Sequence, residues 1–251
     1  MLLSLATWPE IEAYLQSSSG VVVPIGSTEQ HGPMGLIGTD AITAEAIARG
    51  IGDTTGALIA PTFNVGRAEH HMAFPGTLTL RRSTMIAALA DWVTSLARHG
   101  FERIFFINGH GGNVPVLQDA FKAIHDKPVL ARAGDNAARP VRCKFQSWWA
   151  GPTTGKLCKQ LYGTAEGMHA TPSEVAITQH VYPHAIKHAD LEPRVAPVGP
   201  IKGPRDYRHR FPDGRIGSDS SLATPEAGKD ILSTAIAELG QVYLDFLSSE
   251  Q

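Results

Sequence analysis

Residues 21–40, VVVPIGSTEQHGPMGLIGTD, decide how the rest of the chain is read. Val21 to Ile25 is a short apolar run rich in β-branched side chains, the pattern of a buried strand in a parallel sheet. Functional groups in such sheets collect just past the C-terminal ends of the strands. There the sequence places Glu29 and His31, two apart, so that extended backbone sends both side chains to one face. Asp40 follows a loop carrying Gly32, Pro33, Gly35 and Gly38, and it opens a helical pattern (Ile42, Ala46, Ile47) that it could cap. A carboxylate, an imidazole and a second carboxylate suit Zn²⁺ or Mn²⁺. The same three residues also read as ordinary loop polars and a helix cap, so the decision rests on what the flanking chain adds.

Downstream, Arg103 to Ile107 (RIFFI) forms a second buried strand that runs into Asn108-Gly109-His110-Gly111-Gly112-Asn113. Asn113 is suited to cap a helix reaching about His125, with Pro115 near its first turn. This unit brings His110 to the same sheet edge as Glu29 and His31. The Gly-rich turn also admits an alternative, a metal-free nucleotide- or phosphate-binding module using NGHGGN, but its spacing matches neither GxGxxG nor a P-loop lysine. Between the two units lie a helix from Asp40 to about Gly50, a strand over Ala57 to Pro61, and a loop with Glu69, His70 and His71. Adjacent histidines diverge on extended backbone, so at most one faces the site; His71 is favoured, with a hydrogen-bonded structural histidine as the other reading. Ser83 is placed to cap a helix with Met85, Ile86, Leu89, Trp92, Val93 and Leu96 on its core face, closed at Gly100.

Past His125, Pro128 to Ala133 reads as a strand. Trp148 and Trp149, flanked by Gly and Pro, read as a substrate-facing lid or as a hydrophobic anchor. His169 precedes a helix started by Thr171 or Ser173 near Pro172, with Glu174 in its first turn, where an anion or a metal ligand is well placed. His180, His184 and His188 have metal-like spacing, but Pro183 interrupts the helix and they read as surface residues. Residues 190–221, rich in Pro and Gly, are too long for a simple connection and read as an arm on a neighbouring subunit or a flap over the site. A short helix from Trp8 to Leu15 and a long one from Thr224-Pro225 complete the pattern.

At 251 residues, with 43% hydrophobic and 18% charged residues, the chain can bury a substantial core, and it reads as one α/β domain over 1–251. A formal net charge of −2 without a basic block gives no footprint for nucleic acid or an anionic membrane. Two cysteines, Cys143 and Cys158, form no framework and read as free thiols; with no secretory signal or membrane-length run, the expected location is the cytoplasm.

The candidate site thus gathers Glu29, His31, Asp40, His110, His169 and Glu174, each at a strand-to-helix junction or a helix start. Together with PIGSTEQHGPMGLIGTD, HHMAFPGTLTL, FINGHGGN, HATPSE and GSDSSLATPEAG, in order along nearly the whole chain, these residues resemble the creatininase (creatinine amidohydrolase) family. The resemblance implies a three-layer α/β/α sandwich with a mostly parallel central sheet and two divalent ions, Zn²⁺ or Mn²⁺, with Fe²⁺ also admissible. By that resemblance Asp40 bridges the ions, Glu29 and His110 complete one, His31 and Glu174 complete the other, and His169 is the acid-base group. It further implies a small-molecule substrate and a homo-oligomer, commonly a hexamer.

One departure bears on the substrate. Creatinine-hydrolysing members carry a glutamate two residues after the histidine of the NGH motif, whereas this chain has Gly112. The expectation is therefore an amidohydrolase cleaving the C–N bond of a small cyclic amide or a formamide, with creatinine itself as the alternative. Two ions about 3.5–4 Å apart lower the pKa of a shared water toward neutrality. A neighbouring histidine then relays its proton to the leaving nitrogen.

Overall fold

The structure is a computed structural model that describes residues 1–125 and 141–249. After a short helix, α1 (Trp8–Tyr14), the chain enters β1 (Gly20–Ile25), α2 (Thr39–Thr55) and β2 (Leu58–Ile59), then α3 (Arg82–His99), β3 (Arg103–Asn108) and α4 (Val114–His125). Past residue 140 come β4 (Arg142–Ser147), α5 (Pro152–Tyr162), α6 (Pro172–Val181), α7 (Pro204–Arg210) and α8 (Pro225–Ser248). The four strands lie in the order β2-β1-β3-β4 and every pairing is parallel, with Ile25 opposite Asn108 and Asn108 opposite Ser147 at the C-terminal edge.

Side-chain alternation sorts the core into two faces. Val21, Val23, Ile25, Ile104 and Phe106 pack with Met85, Leu89 and Val93 of α3 and with Leu117 of α4. On the other face, Val22, Phe105 and Ile107 meet Ile47 and Ile51 of α2, Ile177 of α6 and Leu239 of α8. Burial on both faces explains the uninterrupted apolar runs in β1 and β3, and the result is the expected three-layer sandwich. Strand order reverses direction between β1 and β3, so the C-terminal ends of these two strands open the crevice where an α/β sheet places its ligands.

Several local expectations are corrected. Helix α2 starts at Thr39 after Gly38, and Asp40 makes no cap; it lies in the first turn with its carboxylate turned toward the sheet edge. Helix α3 starts at Arg82, which leaves Ser83 inside the first turn without a capping bond. Asn113 ends a 3₁₀ turn, and its side chain joins two loops instead of capping: Oδ1 accepts from Arg67 N, and Nδ2 donates to Gly26 O. Strand β4 was not anticipated, because RCKFQS has neither alternation nor a β-branched run, and the strand expected at Pro128 to Ala133 lies outside the described residues. Both cysteines are free thiols. No helix among the described residues is long and apolar enough to cross a membrane.

Candidate metal centre

Two glycines let the site close. A Cβ on Gly26, at the end of β1, would lie 2.4 Å from Ala41 N, and one on Gly109, past β3, would lie 2.0 Å from Asp40 O. Only bare backbone at both positions admits the first turn of α2 against the two strand ends, and that turn delivers Asp40.

The carboxylates are held by one oxygen and present the other. Ser27 Oγ donates to Glu29 Oε2 at 2.9 Å, leaving Oε1 facing inward. Glu174 closes a capping box at the start of α6: its Oε1 accepts from Thr171 N at 2.6 Å, so its Oε2 is left 3.8 Å from His31 Nε2. Asp40 turns one oxygen to each of two histidines, Oδ1 at 3.0 Å from His31 Nε2 and Oδ2 at 3.1 Å from His110 Nδ1. Glu29 Oε1 stands 3.3 Å from His110 Nδ1. Glu29 and Asp40 are almost fully buried, and Glu174 nearly so.

The histidines are aimed in the same manner. His31 Nδ1 donates to Glu29 O at 3.1 Å, His110 Nε2 to Arg67 O at 3.0 Å, and His169 Nε2 to Gln30 O at 2.8 Å. With its outer nitrogen tied to a backbone carbonyl, each ring points its other nitrogen at the cluster, the outer-shell arrangement that orients metal-ligating histidines. Ala170, just after His169, has φ of 53°, a left-handed conformation that costs a non-glycine residue on the order of 1 kcal/mol or more and turns the chain between His169 and α6.

Electrostatics follow from this packing. Burial opposes charge on His31, but Asp40 and then Glu174 outweigh it and raise the imidazole to about 10. His110 is likewise raised well above its ordinary value, by Glu29 and Asp40 against burial. Burial raises Glu29 and Glu174, whereas His31 and His110 overcome burial at Asp40 and hold its carboxyl low. His169 is pushed well below the ordinary histidine range by burial and then by the charge of His31, so it stands neutral. Without a metal, protons on His31 and His110 supply the positive charge that the carboxylates attract.

A divalent ion fits the same place. Glu29 Oε1 and Asp40 Oδ2 are buried with no hydrogen bond of acceptable geometry, although nitrogens lie 3.1–3.3 Å away. Ligand atoms around a tetrahedral zinc stand about 3.3 Å apart, and the 3.0–3.8 Å separations of the His31, Asp40, Glu174, His110 and Glu29 pairs agree with that spacing. Two overlapping groups, Glu29-His31-Asp40 and Glu29-His71-His169, have ligand atoms within 4.8 Å of one another.

All six residues expected from the sequence are therefore brought together. His71 joins them, its Nε2 at 3.2 Å from Glu29 Oε1. It does so from a 3₁₀ turn, Glu69–His71, and not from extended backbone, and His70 also borders the cavity. Gln30 and Tyr207 were missed, and nothing in the pattern around them marks them. The cavity measures about 670 Å³ and is walled by Trp148, Trp149, Lys159, Met168, Tyr207 and Ile216 among others. Trp148, read from the sequence as lid or anchor, is 1% exposed and packs edge-on against Trp149. The 190–221 segment lies over the site of its own chain: Ile216 bridges His169, and Tyr207 sits in a small cluster with Phe74, Phe211 and Ile216.

A sequence model of the creatininase family, described as creatinine amidohydrolase, matches residues 4–243. The mycofactocin precursor peptide peptidase of Mycolicibacterium smegmatis is 38% identical over 187 residues, 71% of this chain and 69% of that protein. A creatinine amidohydrolase of Pseudomonas putida is 32% identical over 43% of this chain and 44% of its own length. The 3-dehydro-scyllo-inosose hydrolase of Thermotoga maritima is 24% identical over 96% of this chain and 82% of that protein. Among solved structures, a manganese creatininase superposes with a TM-score of 0.81 at 23% identity over 99% of both chains. A creatinine amidohydrolase does so with 0.79 at 24% identity over 99% and 98%. At such identities these structures establish the fold.

Proposed function

Because the chain belongs to the creatininase family, we propose that it is an amidohydrolase dependent on two divalent ions, and that Asp40 would serve as a ligand to both. The observation that carries this reading is the pair of Asp40 oxygens, each within 3.1 Å of a different histidine, flanked by Glu29 and Glu174 with their inward oxygens free. Glu29 and His110 would hold one ion, and His31 and Glu174 the other. Manganese and zinc occur in the names of the creatininase neighbours, and the mixed oxygen and nitrogen donors suit either. Bound ions of this kind supply Lewis acidity and make water nucleophilic near neutral pH.

The chain's own groups do the rest. Trp148, Trp149 and the 190–221 segment enclose the amide and exclude water. His169, neutral and 3.9 Å from Glu29 Oε1 through Nδ1, accepts a proton at that nitrogen and returns it to the departing amine. A second reading extends the substrate to the end of a peptide, favoured by the peptidase relative at 38% identity and by a cavity of a size that holds ligands well beyond a small ring.

The test is elemental analysis with thermal unfolding. Close to two ions per chain are expected. Metal at a hundredfold excess over Kd stabilises by about 2.7 kcal/mol per site, a rise of roughly 5–10 °C for a chain of this size. Absence of metal, with no shift on adding Zn²⁺ or Mn²⁺, would overturn the reading. Turnover of a panel of formamides, cyclic amides and short peptides, lost in His169→Ala with metals retained, then separates the two substrate classes.

A further inference from the structure

His71 breaks the rule that the other three histidines obey. His31, His110 and His169 each give their outer N–H to a backbone carbonyl, whereas the outer nitrogen of His71, Nδ1, meets the side-chain amide of Gln30 at 2.9 Å. Which end of that amide it meets is fixed by two backbone groups. Gly32 N donates to Gln30 Oε1 at 2.8 Å, and Gln30 Nε2 donates to Gly214 O at 3.0 Å. A flipped amide would set donor against donor at Gly32 and acceptor against acceptor at Gly214. Gln30 therefore presents N–H to His71 Nδ1, which must accept, so in the neutral ring the proton sits on Nε2, 3.2 Å from Glu29 Oε1.

The backbone of the same residue settles His169. Its carbonyl can only accept, so His169 carries a hydrogen on Nε2 and turns the Nδ1 lone pair inward. Gln30 Nε2 also lies 2.9 Å from His169 Nε2 and 3.1 Å from Tyr207 Oη. Its two hydrogens are already used at His71 and at Gly214. The Tyr207 hydroxyl, which itself donates to Gly214 O at 2.7 Å, lies on the same side as the second of them. The approach to His169 is thus a contact between two donors and not a bond.

We infer that Gln30 is a positioning residue that assigns the protons of two site histidines: His71 with its Nε2–H turned toward Glu29, and His169 as an inward-facing acceptor. His71 then belongs to the support of a metal ligand and not to the ligand set, although Glu29, His71 and His169 stand close enough to hold an ion by themselves. It also orders the chemistry. His169 can only take a proton from the cluster side before it can give one back.

The proposal rests on Glu29 being a metal ligand, and its decisive test uses protein without metal, so the two fail separately. In protein labelled with ¹⁵N in histidine, the ring resonances of His71 and His169, identified by their loss in His71→Gln and His169→Gln, are expected to show the Nε2–H pattern. Either ring in the Nδ1–H form overturns the inference, as does a His71 Nε2 signal that shifts to metal coordination on loading with Zn²⁺ or Cd²⁺. Gln30→Glu keeps the acceptor for Gly32 but offers His71 only an acceptor, so His71 is expected to move its proton to Nδ1. Loss of the N–H that faces Glu29 should then weaken metal binding about 10–100-fold. Gln30→Glu protein that folds and retains the Nε2–H pattern at His71 counts against it, and if that variant fails to fold, the unaltered protein alone decides.

Discussion

Gly112 offers the sharpest perturbation of this site. A Cβ at position 112 would lie 2.4 Å from His110 Nε2 and 2.5 Å from Arg67 O, where ordinary contact begins near 3.4 Å. Those two atoms are the donor and acceptor of the 3.0 Å hydrogen bond that aims His110, so any side chain here drives a wedge into that bond. Relief requires movement of about 1 Å, while a metal ligand tolerates roughly ±0.2 Å. His110 Nδ1 would leave its place 3.1 Å from Asp40 Oδ2 and 3.3 Å from Glu29 Oε1. Grafting the glutamate that creatinine-hydrolysing members carry is thus expected to damage the site. Gly112→Glu and Gly112→Ala should both lose about 10–100-fold in metal affinity, or about 1.4–2.7 kcal/mol. Competition against a chromophoric chelator measures the affinity, and creatinine turnover is followed on the same preparations. A Gly112→Glu protein that binds metal as tightly as its parent and gains creatinine hydrolysis would refute the reasoning, because the loop would then have room for a carboxylate.

Four further outcomes follow from the same geometry. Asp40→Ala should lose both ions while His31→Ala loses mainly one, and equal partial loss in both would remove Asp40 from its shared position. In the metal-free protein His31, raised to about 10, and His110, also raised, keep protons at pH 7. A raised folded value stabilises below the unfolded value near 6.5 and is lost as pH climbs through the folded one, so the metal-free form should weaken toward pH 10. Metal must displace these protons, so affinity should climb about tenfold per pH unit for each proton released between pH 6 and 8; titration calorimetry in buffers of different ionisation enthalpy reads the release, and pH-independent affinity would contradict it. Creatinine turnover by the unaltered protein should be weak or absent, and kcat/KM of about 10⁴ M⁻¹s⁻¹ or more would show that Gly112 is not a discriminator.

The sheet was legible wherever burial acts on both faces. VVVPI and RIFFI carry unbroken apolar runs because β1 and β3 are central strands, and the turn after each led directly to Glu29, His31 and His110. β4 was invisible for the opposite reason. It pairs only with β3 among the described residues, is half-buried along most of its length, and spends Arg142, Lys144 and Gln146 where a central strand would carry valines. Helix caps were less legible: Asn113 directly precedes α4 and Asp40 lies in the first turn of α2, but the sheet edge competes for their side chains with ligand and loop contacts that a helix terminus cannot match.

The ligand-type residues could be found because their chemistry is written in residue type: a carboxylate or an imidazole beside a buried strand is costly unless something uses it. Their aim is written elsewhere. The three outer-shell carbonyls belong to Glu29, Gln30 and Arg67, and any residue type would supply the same atom. Gln30 reaches Gly214 across 184 residues and Tyr207 across 177, distances over which no periodicity carries information. Orientation at this site is thus a product of tertiary closure. The 190–221 segment folds back to fix the Gln30 amide, that amide fixes the proton of His71, and His71 faces the oxygen that Glu29 turns to the cluster. A sequence can announce the ligand-type residues, but which nitrogen of each ring carries the hydrogen is decided only when the last loop packs.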